Sequence, residues 1–557
     1  MIRYSSAKQQ TLPGFESPFE QGLDARNRWV KLAEVIPWDE LVDAYSSRMS
    51  SGHGRPAKSP RLVIGAMIIK HRQRWTDEET VEQIRENPYL QYFCGFTSFK
   101  LEQPFAPSLF VEVRRRMGGE VFEAFEQAVQ GKLEQIIKAR QESAKAAIAE
   151  QEPVDGGDDD EPPESPPGGE EEIEQSKEEQ EEEEPNPQGK LIMDATVSEQ
   201  AIRYPTDLGT LNEAREISEA LIDRLYPMSG LQKKPRTYRQ KARQDFLALT
   251  KKRNPRRKKL RRGIKQQLQY LRRNLGHIEM LLECHAPRYA LFLGGYAPLA
   301  EKVHPDCLRY RHLRQYWVIQ TVYAQQKEMY DKESRRCDDR IVSISQPHIR
   351  PIVRGKAGKK VEFGAKLSAS LDGNGLARVD ELRWDAFNES EDLPDQVEAY
   401  KKRHGHYPEV VLADNIYGTR TNRAYCKERG IRFGGKPLGR PKKQTEKNKQ
   451  EILESKRQQR KDYLERIPIE GKFGQGKNRH GLERIRAKLK ETSEAWIRSI
   501  FLVMNLRVLL RLFFARNRPA FYTIQRILGP LWPPSMVGVR SSLIRDPYVQ
   551  RMACVRR

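Results

Sequence analysis

One stretch, Glu152–Glu184, holds 17 acids against a single lysine, interrupted by prolines and glycines. A segment of this composition cannot bury enough apolar surface to offset the entropy of ordering. Gln151–Pro187 is therefore read as a disordered acidic linker, assigned to 151–189, and the chain has to fold as the parts on either side of it. At 557 residues several domains are expected. The formal net charge is +22, and the acidic stretch alone contributes −16, so the remainder carries +38. A basic balance that large points to a polyanionic partner, most simply nucleic acid. The linker could also screen the basic surfaces in cis.

Several classes are set aside by what the sequence carries. Six scattered cysteines, with no CxxC among them, suggest neither a disulfide framework nor a zinc ribbon and fit a reducing cytoplasm. Cys284-His285 and His304-x-x-Cys307 have the ligand types of a metal site, but scattered ligand types in a large chain more often mean nothing. MIRYSSAKQQ has no apolar leader core, so no secretion signal is expected. The most apolar run, Trp496–Phe514, contains Arg498, Arg507 and Arg511, which argues for a buried helix and against a membrane span.

Residues 1–117 read as a helical, basic N-terminal unit. Leu62–Lys70 is an apolar helical run, and Thr76 with Glu79 is a capping box opening a helix that ends at Asn87-Pro88. The pair is compatible with helix-turn-helix and equally with any small helical bundle. Gly54-Arg55-Pro56 could lay Arg55 in a narrow minor groove, or be a plain basic loop. A connecting helix over 118–150 follows from Phe122, Phe125, Val129, Leu133, Ile136 and Ile137.

Beyond the linker, Leu191–Asp194 and Val410–Asp414 are both apolar runs closing on an aspartate. That is how a buried strand delivers a carboxylate to a sheet edge. Between them, Lys360–Ala369 and Leu376–Trp384 flank Asp372-Gly373-Asn374-Gly375, a hairpin pattern. Asp372, Asp380 and Asp385 match the type of Asp194 and Asp414 but lie in the turn, its return strand and the next loop. Residues 212–340 read as a helical basic insertion. Leu260, Ile264, Leu268, Leu271, Leu275, Ile278 and Leu282 form a core seam, with Arg256–Arg262 on another face as a DNA-backbone clamp or a solvated surface. Helices are expected to about His404 and over Thr421–Arg429, with a short strand at Ile431–Gly434. Gly439-Arg440-Pro441-Lys442-Lys443 offers Arg440 as a second minor-groove candidate.

The stretch Tyr463–Lys477, YLERIPIEGKFGQGK, sets Tyr463, Arg466 and Lys477 at −7, −4 and +7 from Glu470. On one helix these share a stripe, suited to a metal and a phosphate backbone or else merely solvated. Pro468 predicts either a helix start near that residue or a separate turn for Tyr463 and Arg466.

This spacing resembles the Y-(2)-R-(3)-E-(6)-K signature of DDE transposases from bacterial insertion sequences. PYLQYFCGF resembles their N-terminal domain, and Asp194 and Asp414, the latter in a D-x-x-Y context, match their two aspartates. The likeness covers residues 60–115, 190–211 and 340–490, about half the chain. It implies an α/β chain: an RNase H-like mixed-sheet catalytic domain (190–211 and 341–515) with a large helical insertion, preceded by a helical DNA-binding domain, with a basic tail at 516–557. It implies that Asp194, Asp414 and Glu470 are catalytic and hold two Mg²⁺ ions, with Mn²⁺ as a substitute. Tyr463, Arg466 and Lys477 would contact DNA. The implied activity is metal-dependent strand cleavage and strand transfer on double-stranded DNA, both transposon end repeats and target. A homodimer in the synaptic complex, no membrane, and a place at the bacterial nucleoid follow with it. The alternatives are a catalytically inactive transposon-derived DNA-binding protein, and an RNase H-like nuclease or resolvase.

Overall fold

The computed structural model describes residues 22–49, 57–149, 186–252, 255–284, 309–353, 361–440, 444–445 and 448–515. Gly54-Arg55-Pro56, nearly all of the acidic linker, His285, His304, Cys307 and the 516–557 tail lie outside them.

Among the described residues seven helices precede the linker: α1 Arg28–Val35, α2 Trp38–Ser46, α3 Pro60–Gln73, α4 Asp77–Glu86, α5 Pro88–Phe93, α6 Leu109–Arg116 and α7 Gly119–Ala149. The capping box is present: Thr76 Oγ1 accepts from the Glu79 amide, and Glu79 accepts from the Thr76 amide. α3 is buried from Pro60 through His71, the centre of a bundle rather than a helix with a face to offer. α4 carries Asp77, Glu78, Glu79, Glu82 and Glu86 against one arginine, the wrong sign for a phosphate backbone. α3 and α4 are thus packed into one helical bundle, with α3 buried along most of its length.

After the linker come β1 Lys190–Glu199, then the insertion helices α8 Asp207–Leu225, α9 Arg239–Thr250, α10 Arg257–Cys284 and α11 Tyr310–Asp331. Leu268, Leu271, Ile278 and Leu281 of α10 pack with Leu211, Leu221 and Ile222 of α8 and Ile319 and Val322 of α11, a core of their own. Arg257, Lys258, Lys259 and Arg262 stay exposed, so seam and basic cluster do use different faces.

The sheet resumes with β2 Arg350–Val353, β3 Val361–Leu371 and β4 Ala377–Arg383. Then follow α12 Leu393–His404, β5 Val410–Leu412, α13 Arg420–Glu428, β6 Arg432–Phe433, α14 Lys449–His480 and α15 Lys490–Ala515. The strand order is β2-β3-β1-β5-β6, with β4 also on β3. β3 runs antiparallel to β1, β2 and β4, whereas β5 is parallel to β1 and to β6. β2 has no counterpart among the sequence expectations. It is short and pairs only with the first half of β3.

Alternate residues on β1 and β5 serve opposite faces. Leu191, Met193 and Val411 pack with Leu393, Val397 and Tyr400 of α12 and Cys426 of α13. Ile192, Val410 and Leu412 pack with Ile469 and Phe473 of α14 and Ile497, Ile500 and Phe501 of α15. α15 is apolar nearly all round because it serves two cores. Its Leu502, Val503, Leu506 and Leu509 enter the N-terminal bundle beside Phe122, Phe125 and Val129. Each such fully buried side chain contributes roughly 1.5–3 kcal/mol. Among the described residues no helix is long and apolar enough to cross a membrane.

Candidate active site

β5 pairs in parallel with β1 through Lys190↔Val410, Leu191↔Val411 and Ile192↔Leu412. Two residues further along each chain come Asp194 and Asp414. Both share the parity of Ile192 and Leu412, so both belong to the face that α14 covers. Asp194 is not at a strand end as expected, because β1 continues to Glu199 against β3. Its parallel neighbour has ended, however, so the edge forms beside Asp194 rather than beyond it. Asp414 opens the next turn: its Oδ1 accepts from the Asn415 amide at 2.7 Å, as Asp194 Oδ1 accepts from Ala195 at 2.8 Å.

α14 brings the rest. It runs unbroken for 32 residues through Pro468, so both readings of a break at that proline are wrong. Pro468 is exposed, and water can satisfy the Leu464 carbonyl that loses its helical donor. Three contacts aim the helix. Arg432 on β6 grips Asp462 through two nitrogens at 2.8 and 3.0 Å. Lys190 at the head of β1 meets Glu465 at 2.7 Å. Ile469 and Phe473 enter the sheet core. Burial pushes the Asp462 carboxyl up, but the hydrogen bonds from Arg432 and Gln458 outweigh it and leave it lowered. These anchors lie on a stripe beside Tyr463–Glu470. Their signal in the sequence was Ile469 and Phe473, an apolar pair at i,i+4 inside a charged segment.

On the next stripe Arg466 donates to Glu470 Oε1 at 2.7 Å and stands 3.7 Å from Asp194 Oδ2. One guanidinium thus bridges the first and third carboxylates. Burial raises the Asp194 carboxyl above its usual range, with the charges of Asp414 and Glu470 adding to the effect, while the Ala195 amide and Arg466 oppose it. The donor chemistry, three carboxylates, suits a hard divalent cation. In this arrangement, though, no group of three His, Cys, Asp or Glu side chains among the described residues is placed to hold a metal ion. Arg466 instead pairs with both Asp194 and Glu470.

Beside Asp414 opens a cleft of about 450 Å³, lined by Lys436, Lys456, Arg460, Tyr463 and Arg466 among others. Tyr463 is exposed there. Lys436, Lys456 and Arg460 were not singled out in the sequence, although they sit in a Lys/Arg-dense stretch. Lys477 is half-buried seven residues beyond Glu470 on the same helix, and Arg440 is exposed in the loop before α14. The cleft lining includes neither of them. Two of the three rival aspartates, Asp372 and Asp380, have structural work. Asp372 Oδ1 accepts from the Asn374 and Leu376 amides in the hairpin turn, and Asp380 meets Gln396 and Arg403.

Comparison with known proteins matches residues 411–507 to the transposase DDE domain family and residues 17–116 to a second transposase domain family. The expected resemblance to DDE transposases therefore holds in two separate segments. The first contains Asp414 and Glu470. A protein of Rhizobium meliloti, described as uncharacterized protein ORF8 in the nfe locus, is 39% identical over 130 residues, 23% of this chain. The chain spans 57% of that relative's length. No solved structure matches.

Proposed function

We propose that the chain is a DNA transposase whose catalytic sheet is RNase H-like, and that Asp194, Asp414 and Glu470 carry its chemistry. One observation carries the reading. Asp194 and Asp414 stand level on neighbouring parallel chains, on the face where α14 lays Arg466 and Glu470 against Asp194. The strand order supports the fold: β4, β3 and β1 alternate in direction, and β1, β5 and β6 run parallel.

Asp194, Asp414 and Glu470 would hold two Mg²⁺ ions, or Mn²⁺ in their place, which supply Lewis-acid stabilisation for in-line displacement at phosphorus. The three carboxylates would have to close together once Arg466 turns away, but the two aspartates already have fixed orientations. Each has one oxygen fixed by the following amide, which holds the carboxylate's orientation. Lys436, Lys456 and Arg460 line the approach with cations, so a phosphodiester backbone is held along the cleft without its bases being read. Tyr463 offers an exposed ring and hydroxyl to the strand end. Arg466 exchanges carboxylates for phosphate as the strand enters. Water cuts the strand at the element's end, and the freed 3′-hydroxyl then attacks target DNA in a second displacement of the same kind. The partner is double-stranded DNA, bound as a homodimer that pairs two ends in the bacterial nucleoid.

The test is strand cleavage and strand transfer on a duplex carrying the element's end. Asp194→Asn, Asp414→Asn and Glu470→Gln should each abolish both reactions and leave duplex binding within about threefold. Full cleavage by any of the three removes that carboxylate from the site. Cleavage without joining in the wild type favours a nuclease or resolvase.

A further inference from the structure

Arg28 of α1, Arg72 of α3, Arg479 of α14 and Arg507 of α15 converge on a cavity of about 270 Å³, with Gln73 and His480 completing its wall. A second cavity of about 590 Å³ shares Arg72 and Arg507 and adds Lys472 and Arg511. Among the described residues neither lining contains an acidic side chain. Asp372 is the carboxylate whose charge reaches Lys472. The cations come from four helices, two before the linker and two after it. Arg28 and Arg507 are separated by 479 positions in sequence and meet only because the N-terminal bundle packs on α15.

Folding does not ordinarily gather like charges. Arg479 alone would need no explanation, since a cation in the last turn of a helix answers the helix dipole. Arg28 and Arg72 both lie against the Trp29 ring, at 5.8 and 5.4 Å, which holds their stems but neutralises nothing. His480 is no counter-ion. Burial lowers its pKa to about 4, its Nδ1 faces the His71 carbonyl oxygen, and its Nε2 lies 3.3 Å from Arg507 Nη1. The crowding shows in the arginines themselves. Burial, then Arg507 and Arg28, lower Arg72 to about 10; burial and Arg479 lower Arg507; burial, then Arg511, lowers Lys472 to about 8. Arg72 and Arg507 are half-buried while Arg28 and Arg479 are exposed at the rim, and a cluster of one sign with partly buried members is a cost in the free protein that a bound anion removes.

We propose that this basin is a phosphate-binding site spanning the N-terminal bundle and the catalytic part, and that its occupant is the backbone of duplex DNA. The inference rests on the reading of the chain as a DNA-processing protein. It adds a contact distinct from the carboxylate cleft. Arg479 lies nine residues, about 13 Å of helix, from Glu470. Neither cavity lining includes Asp194, Asp414 or Glu470. Without phosphate, Arg28 and Arg72 on one side repel Arg479 and Arg507 on the other. With phosphate, the same four forks hold the two parts together. DNA binding would then stiffen the junction between bundle and sheet.

The test compares the full-length wild type with Arg479→Gln and with Arg72→Gln/Arg479→Gln. Arg479 is exposed, so the single variant should fold even if the double variant is weakened. The DNA-free single variant should melt within about 2 °C of the wild type, because the repulsion removed offsets the helix-dipole interaction lost. At matched ionic strength, a random-sequence duplex should raise the wild-type melting temperature, and the single variant should lose at least half of that rise. The slope of log affinity against log salt should shrink by about 0.9 for each phosphate that is no longer neutralised, so roughly 1.8 for the double variant. Between 50 and 200 mM salt the wild type should then lose about tenfold more affinity than the double variant. Equal slopes and equal melting shifts overturn the inference while leaving the transposase reading standing. A wild type that binds no duplex overturns both. If inorganic phosphate stabilises the wild type as much as duplex does at equal phosphate, and the variants lose only the phosphate effect, the site takes free phosphate and the DNA assignment fails.

Discussion

The Arg466 guanidinium lies 3.7 Å from the Asp194 carboxylate while donating to Glu470 at 2.7 Å, so one side chain holds two of the three candidate catalytic carboxylates. A cation in that position competes with any metal ion. Arg466→Gln should therefore raise the Mn²⁺ affinity of the DNA-free protein, by about tenfold or ~1.4 kcal/mol. That is a fraction of the unscreened Coulomb value, because Glu470 is half exposed. Titration calorimetry with Mn²⁺ reads it directly. Cleavage should fall in the same variant, since the arginine's hold on phosphate goes with it. Unchanged or weaker Mn²⁺ binding would show that the bridge does not guard the site.

Glu126 of α7 is buried beside Arg378 of β4, 3.6 Å away, and faces Asp380, Arg403 of α12 and Arg498 of α15. Burial pushes its carboxyl up to about 7, against the pull of Arg378 and Arg498. A folded-state pKa above the unfolded value of 4.5 means that stability is fullest below pH 4.5 and is lost as pH rises through about 7. Glu126→Gln cannot ionise. The stability difference, variant minus wild type, should grow between pH 4.5 and 7.5 by up to roughly 3 kcal/mol, at ~1.4 kcal/mol per unit. Denaturant melts across that range measure it, and a flat difference would mean that Glu126 titrates normally.

Much of this was legible because it is local. The capping box at Thr76, the Asp372–Gly375 turn, and two apolar runs each followed by aspartate are short-range signals, and each element formed where its pattern lies. Family spacing added Glu470. What was not legible depends on tertiary contacts. Pro468 predicts a broken helix, but Arg432, Lys190, Ile469 and Phe473 hold α14 continuous across it. Asp194 was expected to end a strand, but β3 extends β1 to Glu199. The pairing of α15 with two cores leaves no trace in its sequence beyond apolarity on every side. Nor could the meeting of Arg28, Arg72, Arg479 and Arg507 be read from spacing.

Asp77 joins three helices of the N-terminal bundle. It accepts from Lys70 of α3 at 2.8 Å and from two nitrogens of Arg114 of α6 at 3.0 and 2.8 Å. Lys70 and Arg114 are almost fully buried, so removing their shared counter-ion leaves two uncompensated charges. Asp77→Ala should cost about 3–5 kcal/mol of stability, far more than a surface ion pair. Burial raises the Asp77 carboxyl, but Arg114 and Lys70 outweigh it and leave it lowered. That stability is present above the unfolded value of 3.8 and is lost as pH falls through the lower folded one. Urea denaturation at pH 7 gives the size. A cost below about 1 kcal/mol, the range of an exposed pair, would mean that the triad is replaceable.

Lys456 and Arg460 stand one turn apart on α14 and line the cleft beside Asp414 with Tyr463 and Arg466. Both are exposed, so neither is needed for folding, and Lys456→Ala with Arg460→Ala should leave the melting temperature within about 1–2 °C. If the cleft carries the strand, the two cations hold backbone phosphates and read no bases. Affinity should then fall by a similar factor on end-containing and random duplexes, because a phosphate contact positions DNA without specifying it. The salt slope should drop by roughly 1.8 on duplex, or roughly 1.4 where the end is single-stranded. Cleavage should fall more than binding, since a strand held loosely spends less time aligned on the carboxylates. The measurement is affinity for both duplexes at several salt concentrations, with single-turnover cleavage alongside. If affinity falls only on the end-containing duplex, these residues read sequence. If nothing changes, the strand approaches Asp194 and Asp414 from another side.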